Sequence, residues 1–417
     1  MATVSDAPKA SFRLSMLIYD TRYRSITIQI VVLMLFMAGA AWLVDNTVRN
    51  LAALGKDFSF AFLWNRAGYD INQMLVEYSN DSTHGRAMFI GLLNTLLVAF
   101  MSCVAATVLG VIIGVLRLSP NWIIGRLTTV YVEMFRNIPI LLWILVAYAI
   151  FTEVLPAPNA FRGDNPTASM ILFDSVALTN RYTAIPDPLF YRSLGNIDVG
   201  LFLISLDLLA IIAVITGSVL VNRKLLAHAT AVQNATGVRP VTWWKSILIL
   251  IVPLVVLLVA LGFHAERPVL RGFNFTGGLD VSNSLMALWL GLTLYTAAFI
   301  AEIVRAGISA VSHGQTEAAF ALGLRPNRTM SLVILPQALR VIVPPLISQY
   351  LNITKNSSLA IAVGYMDLRG TLGGITLNQT GRELEAVLLM MLIYLAISLL
   401  ISAAMNVYNN SVKLKER

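Results

Sequence analysis

Eight apolar stretches, each close to the length needed to cross a bilayer, dominate this 417-residue chain. They lie at 26–44, 90–116, 138–155, 199–221, 246–263, 284–304, 342–364 and 386–408. A helix needs about 20 mostly apolar residues to span the hydrocarbon core. The second stretch exceeds that, which predicts a start that tilts or lies along the surface. The expected fold class is therefore all-α, a polytopic membrane protein of about eight transmembrane helices. Charged residues make up 12% of the chain, half the share of about 25% usual in soluble domains. A soluble enzyme, a disordered chain and a secreted disulfide scaffold are excluded. The single cysteine, Cys103, lies inside an apolar run, which excludes an intrachain disulfide and a cysteine metal cluster. The first stretch begins well inside the chain and lacks a small-residue cleavage site, so it is expected to stay as a helix.

The net charge of +8 is explained by its distribution along the chain. With flanks assigned alternately to two sides, segments 1–25, 117–137, 222–245, 305–341 and 409–417 carry 18 Lys and Arg and 5 acids. Segments 45–89, 156–198, 264–283 and 365–385 carry 11 and 14. The positive-inside rule predicts that both termini are cytoplasmic. The short 222–245 segment, basic and without any acid, weighs most, and Trp243 and Trp244 close it where an interfacial aromatic pair belongs. On the other side, 45–89 mixes aromatics with charges and 156–198 is rich in turn-forming Pro, Asn and Asp, which predicts a modest outer cap. Neither a repeat of 20–50 residues nor a low-complexity tract is evident.

The chain has no G-x-x-x-x-G-K-[ST] stretch to cradle a nucleoside triphosphate, no H-E-x-x-H and no G-x-S-x-G. Its four histidines, His84, His228, His264 and His313, fall in expected loops. No catalytic or metal site is expected in this chain. A channel, a transporter or a structural subunit remains, with energy supplied from elsewhere. An ion-coupled secondary amino-acid transporter is the alternative; such proteins tend to have repeated halves with broken midplane helices, and the lack of repeats argues against it.

The most informative segment is 305–345, between the sixth and seventh stretches. Ser312-x-x-Gln315 fits a capping box, so a helix is expected to begin there. Gly323 supplies a left-handed stop, and Pro326 suits the first turn of a second short helix. Pro336 is expected to end that helix, and Pro344-Pro345 to disturb the start of the seventh span. The reading is two short helices at an angle beneath the membrane. Ala318 and Ala319 give the first a smooth face, and Glu317 gives it a charge. The plain alternative is a helical hairpin that only packs.

Here the sequence resembles the inner-membrane permease subunits of binding-protein-dependent ABC importers, whose mark is E-A-A-x3-G-x9-I-x-L-P. This chain reads Glu317-Ala318-Ala319, then Gly323, then Val333 in the Ile position, then Leu335 and Pro336. The resemblance implies that Glu317, Ala318, Ala319, Gly323, Leu335 and Pro336 couple the chain to an ATPase. AEIVRAGISAV, GLLNTLLVAFMSCVAATVLGVIIGVLRLS and YVEMFRNIPILLWIL resemble the polar amino-acid subfamily, for histidine, glutamate/glutamine, arginine and opines. On that resemblance a type I importer core occupies 86–155 and 284–411, with the coupling loop at 305–341. Residues 1–85 and 156–283 are additions that bring one leading and two inserted spans, and 412–417 form a cytoplasmic tail. This enlarged layout looks like the Q-type permease subunits of bacterial general L-amino-acid importers. The implied partners are two ATP-binding subunits that hold ATP and Mg, a second homologous permease in a heterodimer, and a periplasmic amino-acid-binding protein. The implied cargo is an L-amino acid, the implied setting the lipid bilayer of the bacterial inner membrane, with no cofactor in this chain and no nucleic acid.

The seventh stretch contains Asn352, Thr354, Lys355, Asn356, Ser357 and Ser358. Polar groups at that depth cost a few kcal/mol unless they face protein or water. From a start near 342, Lys355 lies about 20 Å along the helix, past the midplane. The six are expected to line the translocation path, with Lys355 attracting a substrate carboxylate or pairing with an acid of a partner. The competing reading is a helix–helix hydrogen-bond seam with Lys355 reaching outward. Asn94, Thr95 and Ser102 are candidates for the same path. Gly110 and Gly114 suit close helix packing, and Asp207 suits a structural pairing. Glu133 with Arg136, and Glu302 with Arg305, have helix-pair spacing and are expected to brace the loop.

Overall fold

The structure is a computed structural model that describes residues 15–53, 55, 57–163, 166–200 and 203–412. The predicted cytoplasmic ends at 1–14 and 413–417 lie outside the described residues. The chain divides after Ala61 into two compact units. In the first, α1 (Thr21–Ala53) is a single 33-residue helix that contains the predicted 26–44 span. An Asp45–Arg49 ion pair of 2.8 Å lies near its end.

In the second unit, α2 (His84–Leu116) starts at an N-cap, Thr83, whose hydroxyl accepts from Arg86 N. Its 33 residues measure about 50 Å at 1.5 Å per residue. Next come α3 (Trp122–Asn137) and α4 (Ile140–Ala149), the latter continued as a π-helix to Val154. The predicted span at 138–155 forms one arm of a bent helix pair. Its helical part measures only about 22 Å, and it meets α3 at a 104° bend. Pro139 causes that bend. A residue before proline is pushed out of the helical region, and Ile138 is extended (φ −105°, ψ 134°), which ends α3 and lets Pro139 cap α4. Seven helices among the described residues are long and apolar enough to cross a membrane, and the bent pair would make an eighth.

The inserted region holds α5 (Leu206–Thr236) and α6 (Trp243–Leu261). The predicted 199–221 span begins seven residues late, after a Ser205 cap, and continues to Gly237, where φ is +74°. The segment at 222–236, expected as loop, is helix because no Gly or Pro interrupts it before Gly237. The segments flanking this pair form small antiparallel ribbons: β1 (Ala177–Leu178), β2 (Tyr182–Ile185), β3 (Asp187–Phe190), β4 (Asn196–Asp198) and β5 (Leu203–Ser205) before α5, then β6 (Phe263–Glu266), β7 (Val269–Arg271), β8 (Asn274–Thr276) and β9 (Leu279–Ser282) after α6. They pair as β1-β2-β9, β3-β6, β4-β5 and β7-β8.

β9 runs directly into α7 (Asn283–Ser309), the most buried helix. Asn283 Nδ2 donates to Thr179 O (2.9 Å) and Phe151 O (3.2 Å), tying the turn between β1 and β2 and the π-helical end of α4 to the start of α7. α7 packs on α4 through Ile144, Leu288 and Leu292, on α2 through Ala106, Ala297 and Ile300, and on α3 through Val132, Phe135 and Ala298. Phe135 also stacks on Trp143 at 4.1 Å. The chain then forms α8 (His313–Ala321), a turn at Pro326–Thr329, a π-helix at Met330–Ile334 and α9 (Leu335–Asn356). A 3-10 helix (Ser357–Val363) and short turns lead to α10 (Glu383–Val412).

Two expectations about this last stretch are corrected. Pro336 does not end the second short helix but sits in the first turn of α9, where its missing N–H is tolerated. The π turn just ahead of it lets the hydrogen-bond ladder slip by one residue, so the helix is rerouted instead of stopped. Pro344 and Pro345 lie inside α9 without breaking it.

Gly110 and Gly114 do pack closely. A Cβ on Gly110 would sit 2.6 Å from Ile300 Cβ, and one on Gly114 2.7 Å from Ala301 O. Gly110→Leu is expected to destabilise the fold by about 1–3 kcal/mol, the cost of overpacking. Gly125→Ala, with open space around the position in α3, is expected to keep or raise stability, by up to about 1 kcal/mol from the better helix propensity of alanine. Thermal unfolding of both variants in the same detergent checks the contrast.

Candidate functional site: the 312–336 elbow and the polar turn of α9

α8 leaves the bundle at Ser312. The expected capping box does not form, because the Ser312 side chain caps no N–H. Gln315 instead accepts from Gln337 Nε2 at 3.3 Å, a bond that crosses from α9 to α8. The stop is as expected. Gly323 has φ +75°, Gly323 N donates to Phe320 O (2.9 Å) and Leu324 N donates to Ala319 O (3.1 Å), the paired bonds of a Schellman ending.

The six predicted coupling residues come together on this elbow. Ala319 is buried, whereas Glu317, Ala318, Gly323, Leu335 and Pro336 are exposed. Glu317 Oε1 lies 3.0 Å from His313 Nδ1 one turn earlier, with both side chains in solvent. Around the glutamate stand Phe320 and Leu322, the latter 83% exposed, with Leu332 on the facing segment.

The elbow is rooted in an ion cluster that the sequence showed only in part. Glu302 accepts from Arg305 Nη2 (2.6 Å) and Nε (3.2 Å), as the spacing predicted. It also accepts from Arg117, the C-cap of α2. Arg117 is nearly buried, so the cluster ties the ends of α2 and α7 together where the elbow departs. Nothing in the local spacing pairs Arg117 with a residue 185 positions away. The expected Glu133–Arg136 pair does not form. Glu133 accepts from Asn137 Nδ2, and Arg136 lies over the Phe299 ring, 5.4 Å from its centroid.

The six predicted path residues divide between two faces. Thr354 and Ser357 are buried, and their hydroxyls donate to Tyr350 O (3.0 Å) and Thr354 O (2.8 Å) within the same run of chain. Ser358 Oγ likewise donates to Lys355 O. Asn352 and Lys355, three residues apart, are exposed, with Asn356 half-buried beside them. Tyr350 and Thr354 border a groove of about 580 Å³ between α2 and α9, lined also by Phe100, Cys103 and Thr107.

Asn94 and Thr95 are engaged in structural bonds. Asn94 Nδ2 donates to Gln73 O and Met366 O, and Thr95 Oγ1 accepts from Leu368 N. Ser102 is buried, with no hydrogen-bond partner for its hydroxyl. Asp367, which drew no attention in the sequence, is fully buried and accepts from Gly370 N (2.8 Å) and Tyr394 Oη (3.2 Å). Asp207 is no mid-span acid. It lies in the first turn of α5 and accepts from Ser193 Oγ (2.5 Å) and Leu194 N (2.9 Å), the structural pairing expected of it. Before α2, Tyr78 donates to Tyr69 O, and the Tyr69 hydroxyl and His84 Nδ1 both lie within hydrogen-bond reach of Thr376 Oγ1. Burial raises both phenols above their usual range and keeps them neutral.

A polytopic helical bundle whose apolar, glutamate-bearing elbow feeds directly into a polar spanning helix has the parts of an importer permease. Residues 238–414 match the family described as the inner membrane component of binding-protein-dependent transport systems. The sequence is 66% identical to BztB, a permease protein of the glutamate/glutamine/aspartate/asparagine transport system of Rhodobacter capsulatus, with 100% of each chain covered. It is 45% identical to AapQ, a permease protein of the general L-amino acid transport system of Rhizobium johnstonii, over 98% of this chain and 96% of that one. It is 43% identical to YhdX of Escherichia coli, a putative amino-acid ABC transporter permease, over 93% and 94%. A crystal structure of an amino acid ABC transporter with histidines overlaps 79% of this chain and 95% of its own, at 17% identity and a TM-score of 0.44. The chain belongs to this family of ABC importer permease subunits, and within it to the amino-acid permeases.

Glu302→Gln would leave Arg117 and Arg305 facing each other across a neutral amide. It is expected to lower stability by about 1–3 kcal/mol, the range for losing a charged hydrogen-bond partner. Arg305→Lys keeps a cation beside Glu302 and is expected to cost less. Unfolding midpoints in detergent, with assembly followed by size exclusion, check both.

Proposed function

We propose that this chain is the membrane-spanning permease subunit of an ATP-driven importer for L-glutamate, L-aspartate and their amides. What carries the reading is the 66% identity, over the whole length, to a permease protein of a glutamate/glutamine/aspartate/asparagine transport system. The protein lies in the bacterial inner membrane with both termini in the cytoplasm, in keeping with the lysine and arginine bias of its flanks. A periplasmic binding protein delivers the amino acid. Two permease subunits, this one and a homologous partner, enclose the path. Two ATP-binding subunits hold ATP and Mg and hydrolyse the nucleotide.

The elbow is the contact with one of those ATPases. Glu317, Ala318 and Gly323, with Leu335 and Pro336 beside them, form a mixed apolar and acidic surface at which a complementary cleft can grip. A ligand drives a conformational change only by its differential interaction with the two states, so the grip must tighten or shift as the ATPases close. Glu317→Lys reverses the charge at an exposed position and is expected to leave the protein in the membrane while uptake falls by about tenfold or more, the equivalent of about 1.4 kcal/mol. Proteoliposome uptake, measured beside substrate-stimulated ATP hydrolysis, checks this, and normal uptake would remove the elbow from the coupling role.

Asn352 and Lys355, exposed on α9, line the path together with Asn356. The hydroxyls of Thr354, Ser357 and Ser358 hold the shape of that turn. A cation suits a cargo that carries one carboxylate, and suits glutamate and aspartate, which carry two, still better. Lys355→Met is expected to slow aspartate and glutamate uptake about tenfold, and asparagine and glutamine uptake less. Competition assays with the four amino acids check the order. Uptake that resists vanadate and collapses with a proton uncoupler would replace the whole reading with an ion-coupled transporter.

A further inference from the structure

The hairpin of α5 and α6 holds a cationic corner that the transport reading does not use. No acid occurs between Asp207 and Glu266, a stretch that includes nearly all of both helices. The outer ends of the two helices are strapped to one short segment. Arg192 N donates to Leu261 O (3.0 Å), Leu194 N to Asp207 Oδ1 (2.9 Å) and Leu206 N to Gly195 O (3.0 Å). This strap sets Asp207 and Leu261 at one height. Arg223 lies sixteen residues along α5 from Asp207, and Lys245 lies sixteen residues along α6 from Leu261. Both are thus about 24 Å from the strap, close to the thickness of the hydrocarbon core.

At that height Arg223, Lys224 and Lys245 are all exposed, and none forms an ion pair among the described residues. Trp243 and Trp244 stand beside them, 68% and 45% exposed, with Lys245 Nζ 5.4 Å from the Trp244 ring centroid. Toward the strap, the exposed surface is largely aliphatic, with Val219, Leu220 and Val221 on α5, Ile247, Leu248 and Ile251 on α6, and Thr216 as an exposed hydroxyl among them. The last twelve residues of α5 (225–236) project about 18 Å beyond this plane and contain no Lys or Arg. Arg239 lies exposed on the 237–242 loop beyond that tip, while Arg223, Lys224 and Lys245 stand together at the plane where the apolar surface ends.

We infer that this corner is a binding site for the headgroup of an anionic phospholipid, with the phosphate held by Arg223, Lys224 and Lys245 and the acyl chains lying along the aliphatic surface. Tryptophan is favoured at headgroup depth, and basic clusters beside spanning helices attract anionic lipid. The inference does not depend on which amino acid the protein carries.

The test uses the full chain assembled with its partner subunits, purified in mild detergent and given equal amounts of dioleoyl phosphatidylglycerol and dioleoyl phosphatidylcholine. Bound lipid is read by native mass spectrometry. The unmodified protein is expected to retain phosphatidylglycerol in preference. Combined Arg223→Gln, Lys224→Gln and Lys245→Gln substitutions are expected to weaken retention by about fivefold for each cation removed. The charge-keeping set Arg223→Lys, Lys224→Arg and Lys245→Arg is expected to retain the lipid. Equal retention of the two lipids by the unmodified protein would overturn the site. So would undiminished phosphatidylglycerol retention in the neutral variant, or loss of a protein subunit from that variant with its lipid still bound. If the neutral set misassembles, Lys245→Gln alone decides, and phosphatidylglycerol retention as strong as in the unmodified protein overturns the site.

Discussion

The approach of α2 to α7 at backbone distance is the contact on which the rest of the bundle depends. Gly110 and Gly114 leave no room for a side chain against Ile300, Ala301 and Val304. In lipid there is little hydrophobic drive for one helix to join another, so close packing of small residues has to supply the attraction. Because α2 sits this close, α7 is left free to bury its remaining faces against α3, α4 and α9. The helices around it stay largely exposed on their far sides, as lipid-facing helices do.

The same central helix leads directly into the elbow. Its end is fixed by Glu302, held between Arg117 and Arg305, and only a few residues later the chain turns out into the elbow. The elbow's first helix is stopped by a left-handed glycine and its second continues into α9. A force applied at Glu317 therefore meets a rigid base on one side and a spanning helix on the other.

Much of this was legible in the sequence. The apolar runs located the spans because burial in lipid needs length and little else. The glycine stop and the proline start of the elbow were readable because each rests on the backbone geometry of one residue. What failed were inferences about continuity. Pro139 sets the expected span at a sharp angle to α3, a helix in what was read as a flanking segment, whereas Pro336, Pro344 and Pro345 fail to break a helix, and the local sequence looks alike in both cases. The difference lies in a π turn and in neighbouring helices, which are tertiary facts. The division of the polar turn into inward hydroxyls and outward Asn352 and Lys355 was hidden for the same reason, as was the partner of Arg117.

From Pro326 to Asn356 the backbone is helical without an intervening loop, a rod about 45 Å long. A tilt of about 5° at one end of such a rod carries the other end through about 4 Å, more than the width of a water molecule. Geometry alone thus magnifies a small displacement at one end of the rod into a larger one at the other, where Lys355 lies. The proline pair near the middle, lacking two ladder hydrogen bonds, marks where the rod would yield first.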